Sequence, residues 1–279
     1  GVVIQWAMET YEKGLIDESD TEGIELEFGN EDALIEIIDR IARREGFGDT
    51  LARGVKIASG EVGKGSDKWA VQSRGLEQSG VETRGAYSYA LAFAVNPRGP
   101  DHLHTECLAE FGGTPEAVET VKKITGDKKY ATPTTTEKRA EIVRWHEDIY
   151  AVTDALGLCA FTTTAAYGID EEKAAKMFEH NTGIPTSPEE IMKAGKRIVT
   201  LERSFNVREG LSRKDDLLPR RMMEEDAGDL PGEDPRISRE KLDKMLDRYY
   251  ELHGWNPDDG KPTEETLNDL NLDFVSTEI

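Results

Sequence analysis

The sequence predicts an all-α, multihelical fold with two packed helical subdomains. Apolar residues recur at three- and four-residue spacing in successive segments, which is typical of amphipathic helices. Most of these segments start at a Ser, Thr, Asp or Asn that can cap a helix, and they end at a glycine. Strand signals are few, and only VSTEI at residues 275–279 and WAVQ at residues 69–72 carry them.

The first group of helices precedes residue 75. Apolar spacing and caps predict three helices, at residues 3–14, at residues 31–46 after a cap at Asn30, and at residues 51–58 after a cap at Asp49. A polar, glycine-rich stretch at residues 59–69 follows, and the sequence after it lacks a helical period. We therefore expect a domain boundary near residue 75, between a helical domain of residues 1–75 and another of residues 76–279.

The second group contains five predicted helices, at residues 114–126, 134–157, 170–183, 187–210 and 238–254. Pro115 and Pro188 stand at the first helical position, where the missing N–H of proline costs no hydrogen bond. All five segments close on a glycine. Together with the first three, these helices account for the predicted architecture.

Composition limits the classes of partner. The chain has 56 acidic and 35 basic residues and a net charge of -21, which disfavours nucleic acid and anionic membranes as partners. No apolar stretch approaches the roughly 18 residues that a membrane span needs. Two cysteines are too few for a disulfide framework, so we expect a reducing, cytoplasmic location, with a single Cys107–Cys159 bridge left open. The start without Met, inside a helical pattern, indicates a piece of a longer protein.

The segment IYAVTDALGLCAF places one of these cysteines just after a glycine turn. The preceding helix is predicted to end at Gly157, and a turn there would direct Cys159 away from the helix axis, toward a cavity. Asp154 lies one turn earlier. Its ionised carboxylate can only accept hydrogen bonds, so it could bind the N–H groups of a flat heterocycle. Alternatively, Cys159 is a small buried apolar residue and Asp154 a solvated helix residue.

A second cluster of reactive side chains lies in NPRGPDHLHTECLAEFGG, residues 96–113. His102, His104, Glu106 and Cys107 follow one another closely, after prolines and glycines that disfavour regular structure. Histidine is the usual acid or base near neutral pH and a common metal ligand, but this spacing matches no specific zinc motif. The alternative is a polar loop.

A third candidate is the basic run in LERSFNVREGLSRKDDLLPRR, residues 201–221. In a chain this acidic, such a run could bind an acidic partner or the phosphates of a ligand. A solvated helix face and turn is the alternative interpretation.

Taken together, the sequence resembles the C-terminal helical part of the tungsten-containing aldehyde:ferredoxin oxidoreductase family. The similar stretches occur in family order and span almost the whole chain. They are AMETYEKGLI, FGNEDALIEIIDRIARREGFGDTLARGVKIA, NPRGPDHLH, TDALGLCAF, ERSFNVREGLSRKDDLLPRR and LDKMLDRYYELHGWNPDDGKPT.

The resemblance implies a role for each candidate residue. Asp154, Leu158 and Cys159 match an Asp-x-x-Gly-Leu-Cys motif, in which the aspartate hydrogen-bonds a metal-carrying pterin and the cysteine is the last of four ligands to a [4Fe-4S] cluster. His102 matches a histidine near the tungsten and is the expected catalytic proton carrier. His104, two residues on, can reach the pterin.

The implied enzyme oxidises a small aldehyde, with water, to a carboxylic acid, using a tungsten bis-pterin, a [4Fe-4S] cluster and ferredoxin as electron acceptor. The first three cluster cysteines, the active-site glutamate and the first pterin aspartate of the family have no match here, and Cys107 matches no family position. The resemblance therefore implies that residues 1–75 are the remainder of a middle helical domain and residues 76–279 the C-terminal one. The chain alone should be inactive and should need the missing N-terminal half of the enzyme as its partner; a homodimer is left open.

Two alternative functions remain at this stage. A ring-reducing aromatic acyl-CoA reductase subunit, of the benzoyl-CoA type, resembles the same fold and cofactor set but runs electrons toward the substrate. A non-catalytic helical remnant that binds a partner is the alternative of a different class, and the presence of His102, Asp154 and Cys159 argues against it.

Overall fold

The computed structural model describes residues 1–133, 135–228 and 236–279, and it confirms the all-α prediction. These residues form twelve α-helices, several short 3-10 turns and one antiparallel ribbon of two short strands. In chain order the elements are α1 (Val2–Glu12), α2 (Glu31–Arg43), α3 (Phe47–Leu51), α4 (Val55–Val62), β1 (Gln72–Ser73), β2 (Leu76–Glu77), α5 (Tyr87–Val95), α6 (Pro115–Thr125), α7 (Arg139–Ala155), α8 (Glu171–Thr182), α9 (Pro188–Arg208), α10 (Arg220–Glu224), α11 (Arg239–His253) and α12 (Glu264–Asp269).

The first group of helices follows the prediction with two corrections. The cap of α2 is confirmed, because the Asn30 side chain accepts a hydrogen bond from the backbone N–H of Ala33. α2 ends at Arg43, before Gly46, since Arg44 adopts a left-handed conformation with φ of 59°. The single helix expected at residues 51–58 is wrong: Gly54, with φ of 88°, separates α3 from α4.

The second group agrees more closely. α6, α8, α9 and α11 match predicted segments, and each predicted cap accepts a hydrogen bond from the first turn of its helix; these caps are Thr114, Asp170, Ser187 and Ser238. α7 begins at Arg139, later than predicted, because Lys138 is left-handed with φ of 63°. Thr134, where the predicted segment began, lies outside the described residues.

Three helices and both predicted strands differ from expectation. α5 was missed because all nine of its residues are buried, so its sequence carries no amphipathic period. α10 and α12 are too short to show an amphipathic period. The predicted strand at residues 275–279 is wrong: a 3-10 turn, Asp273–Val275, lies there and Val275 joins a small apolar cluster with Leu267. The WAVQ strand survives only at Gln72, in β1.

The apolar core has several parts. One cluster contains residues of α1–α4 up to Ala70, and a larger one contains α5 with parts of α6, α7 and α11. Ion pairs cross between the two regions, from Arg221 to Glu9 and from Arg220 to Asp67. The domain boundary near residue 75 stays a prediction. None of the helices in the part of the chain that the structure describes has the length and apolarity to span a bilayer.

Helices α7 and α9 form the central pair of the second group, and glycine lets them approach closely. Gly195 of α9 faces the backbone carbonyl of Asp148 in α7, where an added Cβ would lie 2.1 Å from the carbonyl oxygen. Beyond this crossing, α7 leads to Asp154 and α9 leads to Glu202. The crossing therefore sets the separation of the side chains that line the candidate site.

Candidate cofactor site

The C-terminal end of α7 turns as the sequence predicted. Gly157 has φ of 71°, a left-handed conformation that favours glycine. The N–H of Gly157 donates to the carbonyl of Asp154 at 3.0 Å, and the N–H of Leu158 donates to the carbonyl of Thr153 at 3.0 Å. These two bonds close the helix, so Leu158 and Cys159 leave its axis.

The turn presents Cys159 as an exposed thiol. Cys107 is completely buried and both cysteines are free, so the Cys107–Cys159 bridge left open by the sequence is absent. The pKa of Cys159 is lowered because the backbone N–H of Thr162, then that of Phe161, donate to its sulfur. An accessible thiol with a lowered pKa is suited to bind a metal as thiolate, and a buried apolar role does not fit its exposure.

Asp154 and His104 line one cavity of about 440 Å³. They lie 50 positions apart in sequence and meet because the turn His102–His104 packs beside the end of α7. The remaining lining residues are Pro97, Arg98, Leu201, Glu202, Phe205 and Asn206. The cavity thus combines an exposed acceptor carboxylate with an imidazole, a guanidinium and an amide.

One polar atom of His104 and one of Glu202 form no hydrogen bond within the protein. His104 is 5% exposed, and its Nε2 lies 3.1 Å from Oε2 of Glu202. Neither atom has a hydrogen-bond partner of acceptable geometry. Buried polar atoms normally have partners, so these two orphaned atoms at the cavity wall fit a bound polar group such as the ring system of a pterin.

The structure does not place His102 and Cys159 among the residues that line this cavity. His102 is half-buried, and its Nδ1 lies 3.2 Å from Oγ of Ser79, which borders a separate cavity of about 370 Å³ with Glu82 and Arg221. Leu158 is half-buried and packs on the apolar cluster around Ile149. The roles of His102, Leu158 and Cys159 stay predictions.

Glu106 is a buried carboxyl that the sequence analysis noted without assigning a role. Burial raises its pKa, and the nearby His102 opposes that shift. The hydroxyl of Tyr150 donates to its Oε2 at 3.4 Å. Glu106 therefore couples electrostatically to His102 from the interior, which sequence spacing alone did not reveal.

Two lining residues of α9, Glu202 and Asn206, were also missed. They stand four residues apart, so they share one helix face. The structure marks this face, because Leu201 and Phe205 are apolar and yet exposed, at 43% and 55%. Apolar side chains that remain exposed next to a cavity mark a surface available to another group.

The basic run at residues 201–221 follows the alternative interpretation. Most of its cations have carboxylate partners: Arg203 pairs with Asp216, Arg208 with Glu209, Arg213 with Asp243 and Asp247, Arg220 with Asp67 and Glu224, and Arg221 with Glu9 and Glu225. Because these charges are largely neutralised, the run does not form a free basic patch.

The donor set fits one part of the implied cofactor assembly. Cys159 supplies one thiolate, and Asp154 supplies an acceptor for N–H groups. In residues 1–133, 135–228 and 236–279, no three His, Cys, Asp or Glu side chains converge so as to hold a metal ion. Any cluster bound at Cys159 would take its other ligands from elsewhere.

Comparison with known proteins places this helical scaffold in a family of oxidoreductases. The family model described as aldehyde ferredoxin oxidoreductase, domains 2 & 3, matches residues 1–272. The chain therefore belongs to the aldehyde ferredoxin oxidoreductase family and corresponds to those two domains.

Individual relatives agree. The chain is 33% identical over 279 residues to the tungsten-containing aldehyde ferredoxin oxidoreductase of Pyrococcus abyssi, and 32% identical over 275 residues to that of Pyrococcus furiosus. Each alignment covers 98% of this chain and 42% of the relative, so the chain spans less than half the length of these enzymes. An aliphatic sulfonate oxidoreductase, WOR-like subunit, of Pyrococcus furiosus is 27% identical over 292 residues, which cover all of this chain and 40% of that subunit.

A solved structure shares the fold. The active site complex BamBC of benzoyl coenzyme A reductase, in complex with 1,5 dienoyl-CoA, superposes with a TM-score of 0.78 at 28% identity. The match covers 99% of this chain and 44% of that one.

Proposed function

We propose that this chain is the C-terminal helical part of a tungsten-pterin, iron-sulfur oxidoreductase that oxidises aldehydes to carboxylic acids with ferredoxin as acceptor. The observation that carries the proposal is the cavity at the end of α7, where Asp154 and His104 meet beside the turn that exposes Cys159. Relatives named as tungsten-containing aldehyde ferredoxin oxidoreductases, at 33% and 32% identity, support it.

Each residue has a defined part in this proposal. Asp154 would accept hydrogen bonds from the N–H groups of the pterin, and His104 would lie at the same cavity wall. Leu158 would pack under the turn that separates Asp154 from Cys159. Cys159 would be one thiolate ligand of a [4Fe-4S] cluster. When bound, the pterin and the cluster supply the redox chemistry, and the protein supplies position and electrostatics.

His102 would be the proton carrier of the reaction. An imidazole changes charge near neutral pH, which suits a group that takes up or releases a proton next to a reacting centre. The neighbouring Glu106 is buried, its pKa is raised by that burial, and it interacts electrostatically with His102. Oxidation of an aldehyde with water releases protons, so a base at this position has a chemical task.

The partners follow from the exposed apolar side chains. Leu103 and Phe161, next to the two predicted site segments, are 44% and 62% exposed, and Leu201 and Phe205 border the cavity. We infer that these side chains face the remaining domain of the enzyme, which would also bring the other cluster cysteines. Ferredoxin would receive the electrons in a cytoplasmic setting.

The test uses the full enzyme that contains this chain, grown with tungstate and purified without oxygen. Asp154→Asn keeps the shape of the side chain but replaces one acceptor oxygen with a donor. We expect loss of tungsten and pterin from the protein and loss of aldehyde-dependent ferredoxin reduction. Glu190→Gln, in the exposed capping box of α9, is the control and should retain both. Full cofactor content in the Asp154 variant would contradict the proposal.

A second candidate is an aromatic acyl-CoA reductase subunit, and the TM-score of 0.78 to the benzoyl coenzyme A reductase complex favours it. The same purified enzyme distinguishes the two functions. Aldehyde-dependent reduction of ferredoxin supports the first, whereas reduction of an aromatic acyl-CoA by a low-potential donor supports the second. A protein that binds the cofactors and performs neither reaction would indicate a non-catalytic remnant.

A further inference from the structure

A second cavity, of about 340 Å³, lies along the N-terminal part of α7, whereas Asp154 stands at its C-terminal end. Asp148 and Arg144 line this cavity together with Glu141 and Glu171. Asp148 is 2% exposed; its Oδ2 lies 3.5 Å from Nη2 of Arg144, and its Oδ1 has no hydrogen-bond partner. A nearly buried carboxyl with a free oxygen therefore borders an opening that solvent can enter.

Several protonatable side chains lie in the protein interior near the two cavities. At the cofactor-site end, Nε2 of His104 lies 3.1 Å from Oε2 of Glu202. Glu202 is near enough to Glu147 for its charge to raise the pKa of that buried carboxyl, and Asp148, the next residue in α7, acts in the same direction. Glu147 is therefore close in space to Glu202 and is the neighbour of Asp148 in the chain.

Two residues of α11 contact Glu147. The hydroxyl of Tyr249 donates to its Oε2 at 2.8 Å, and Nε2 of His253 lies 3.4 Å from the same oxygen. Burial raises the pKa of Glu147 well above its usual range and lowers that of His253 well below. Burial thus favours the neutral form of both groups, and in that form each side chain can accept a proton at one atom and donate one from another.

Unsatisfied polar atoms follow the same line. Among the described residues, buried atoms without a hydrogen-bond partner include Nε2 of His104, Oε2 of Glu202, both ring nitrogens of His253 and Oδ1 of Asp148. Such atoms are uncommon in folded proteins unless water completes their hydrogen bonding. Their presence in several side chains near the two cavities fits a chain of internal waters.

We propose that Glu202, Glu147, His253 and Asp148 form a proton path from the cofactor site at His104 to the second cavity. The inference rests on the proposed function, since oxidation of R–CHO with water gives R–COOH, two electrons and two protons. The electrons leave to the acceptor, and the protons must reach solvent. Each group of the path accepts one proton and passes one on, so the path itself is unchanged.

Charges of both signs border the path, and Glu141 and Glu171 line the second cavity beside Asp148. Arg144 and Lys196 act on Asp148, and Arg144, Lys196 and Arg203 act on His253. These cations oppose a resident positive charge on His253. A proton would therefore pass His253 in a concerted shift and not as a long-lived imidazolium.

The test compares Glu147→Gln with wild type in the full holoenzyme. Glutamine has nearly the shape of a protonated glutamate and keeps its hydrogen bonding, but it cannot relay a proton. After mixing with aldehyde in weak buffer, an indicator dye should report proton release about 100-fold slower in the variant, the size of a lost acid–base contribution. His146→Gln is the control: His146 is equally buried in α7, but it contacts Tyr167 and the carbonyl of Ile142, and proton release should be unchanged.

Two further measurements do not depend on aldehyde turnover. The infrared spectrum of the resting protein should contain a carbonyl band of a protonated carboxyl that shifts in D2O and is lost in Glu147→Gln. On electrochemical reduction, proton uptake should also slow in that variant. If Glu147→Gln misfolds, Asp148→Asn replaces it in both measurements. Burial raises the pKa of Asp148 to about 7, and asparagine mimics the neutral form of this side chain.

The outcomes separate the path from the proposed function. If the enzyme ignores aldehydes but proton uptake slows in the variant, the proposed function fails and the path stands. If aldehyde is oxidised and both variants move protons at the wild-type rate, the path is wrong. Slowing in His146→Gln equal to that in Glu147→Gln would show a general packing effect and would also overturn it.

Discussion

Replacing Gly195 with alanine tests the close crossing of α7 and α9. The added Cβ would lie 2.1 Å from the carbonyl oxygen of Asp148 and 2.7 Å from its carbonyl carbon, both backbone atoms that cannot rotate away. Overpacking costs about 1–3 kcal/mol, and often more when backbone must move. Alanine regains up to about 1 kcal/mol of helix propensity. Because backbone atoms must move, we take the upper end of that cost, about 3 kcal/mol, and expect a net loss of about 2 kcal/mol in the free energy of unfolding.

Gly60 provides a matched control within a helix. It lies in α4, and an added Cβ there would have no neighbour within 4 Å. Gly60→Ala should therefore stabilise the chain by about 0.5–1 kcal/mol. Urea unfolding followed by circular dichroism measures both variants, and in thermal unfolding each kcal/mol should shift Tm by roughly 2–4 °C.

The opposite signs of the two changes make the test decisive. If Gly195→Ala stabilised the protein as Gly60→Ala does, the two helices could not be in contact at Asp148. The cavity that Asp154 and Glu202 share would then lack its structural basis. A destabilised Gly195 variant should also bind less of the pterin, because separating the helices widens that cavity.

Three further predictions follow from other buried groups. Burial lowers the pKa of His146 from 6.5 to about 4, so His146 gains a proton in the unfolded chain before it does in the folded one as the pH falls. The free energy of unfolding should therefore drop by about 3 kcal/mol between pH 6.5 and pH 4. Urea titrations of His146→Gln should lack that part of the drop. The side chain of Asp216 is 1% exposed, pairs with Arg203 at 2.9 Å and accepts a hydrogen bond from the hydroxyl of Tyr250. Asp216→Asn should therefore lower the free energy of unfolding by about 3–5 kcal/mol. A loss below 1 kcal/mol would contradict the pairing. His102→Asn in the full enzyme should lower kcat by about 100-fold while tungsten and pterin contents stay normal; joint loss of cofactor would make His102 structural.

Local signals predicted much of the fold. The Asn30 cap and the apolar stripe of α2 act over a few residues, and so does the positive φ of Gly157 that turns the chain after Asp154. α5 escaped because it is buried on all sides, which removes the contrast between faces that marks an amphipathic helix.

Long-range contacts account for most of what the sequence did not predict. His104 and Asp154 meet across 50 positions, and Glu202 joins them from a third element. Nothing in the local sequence distinguishes Arg203 from the other arginines of its run. Arg203 is buried against Asp216, whereas the others pair in more exposed positions. The candidate roles of Asp154 and Cys159 came from resemblance to a family, and the geometry added the cavity beside them.

The most direct test of the central claim, that this chain supplies a cofactor ligand at the end of α7, compares two cysteine variants of the full enzyme. Cys159 is exposed at the turn, whereas Cys107 is buried among apolar residues. Iron content and the electron paramagnetic resonance signal of the reduced protein should be lost or strongly diminished in Cys159→Ala and should persist in Cys107→Ala. Unchanged iron and an unchanged signal in Cys159→Ala would contradict the account.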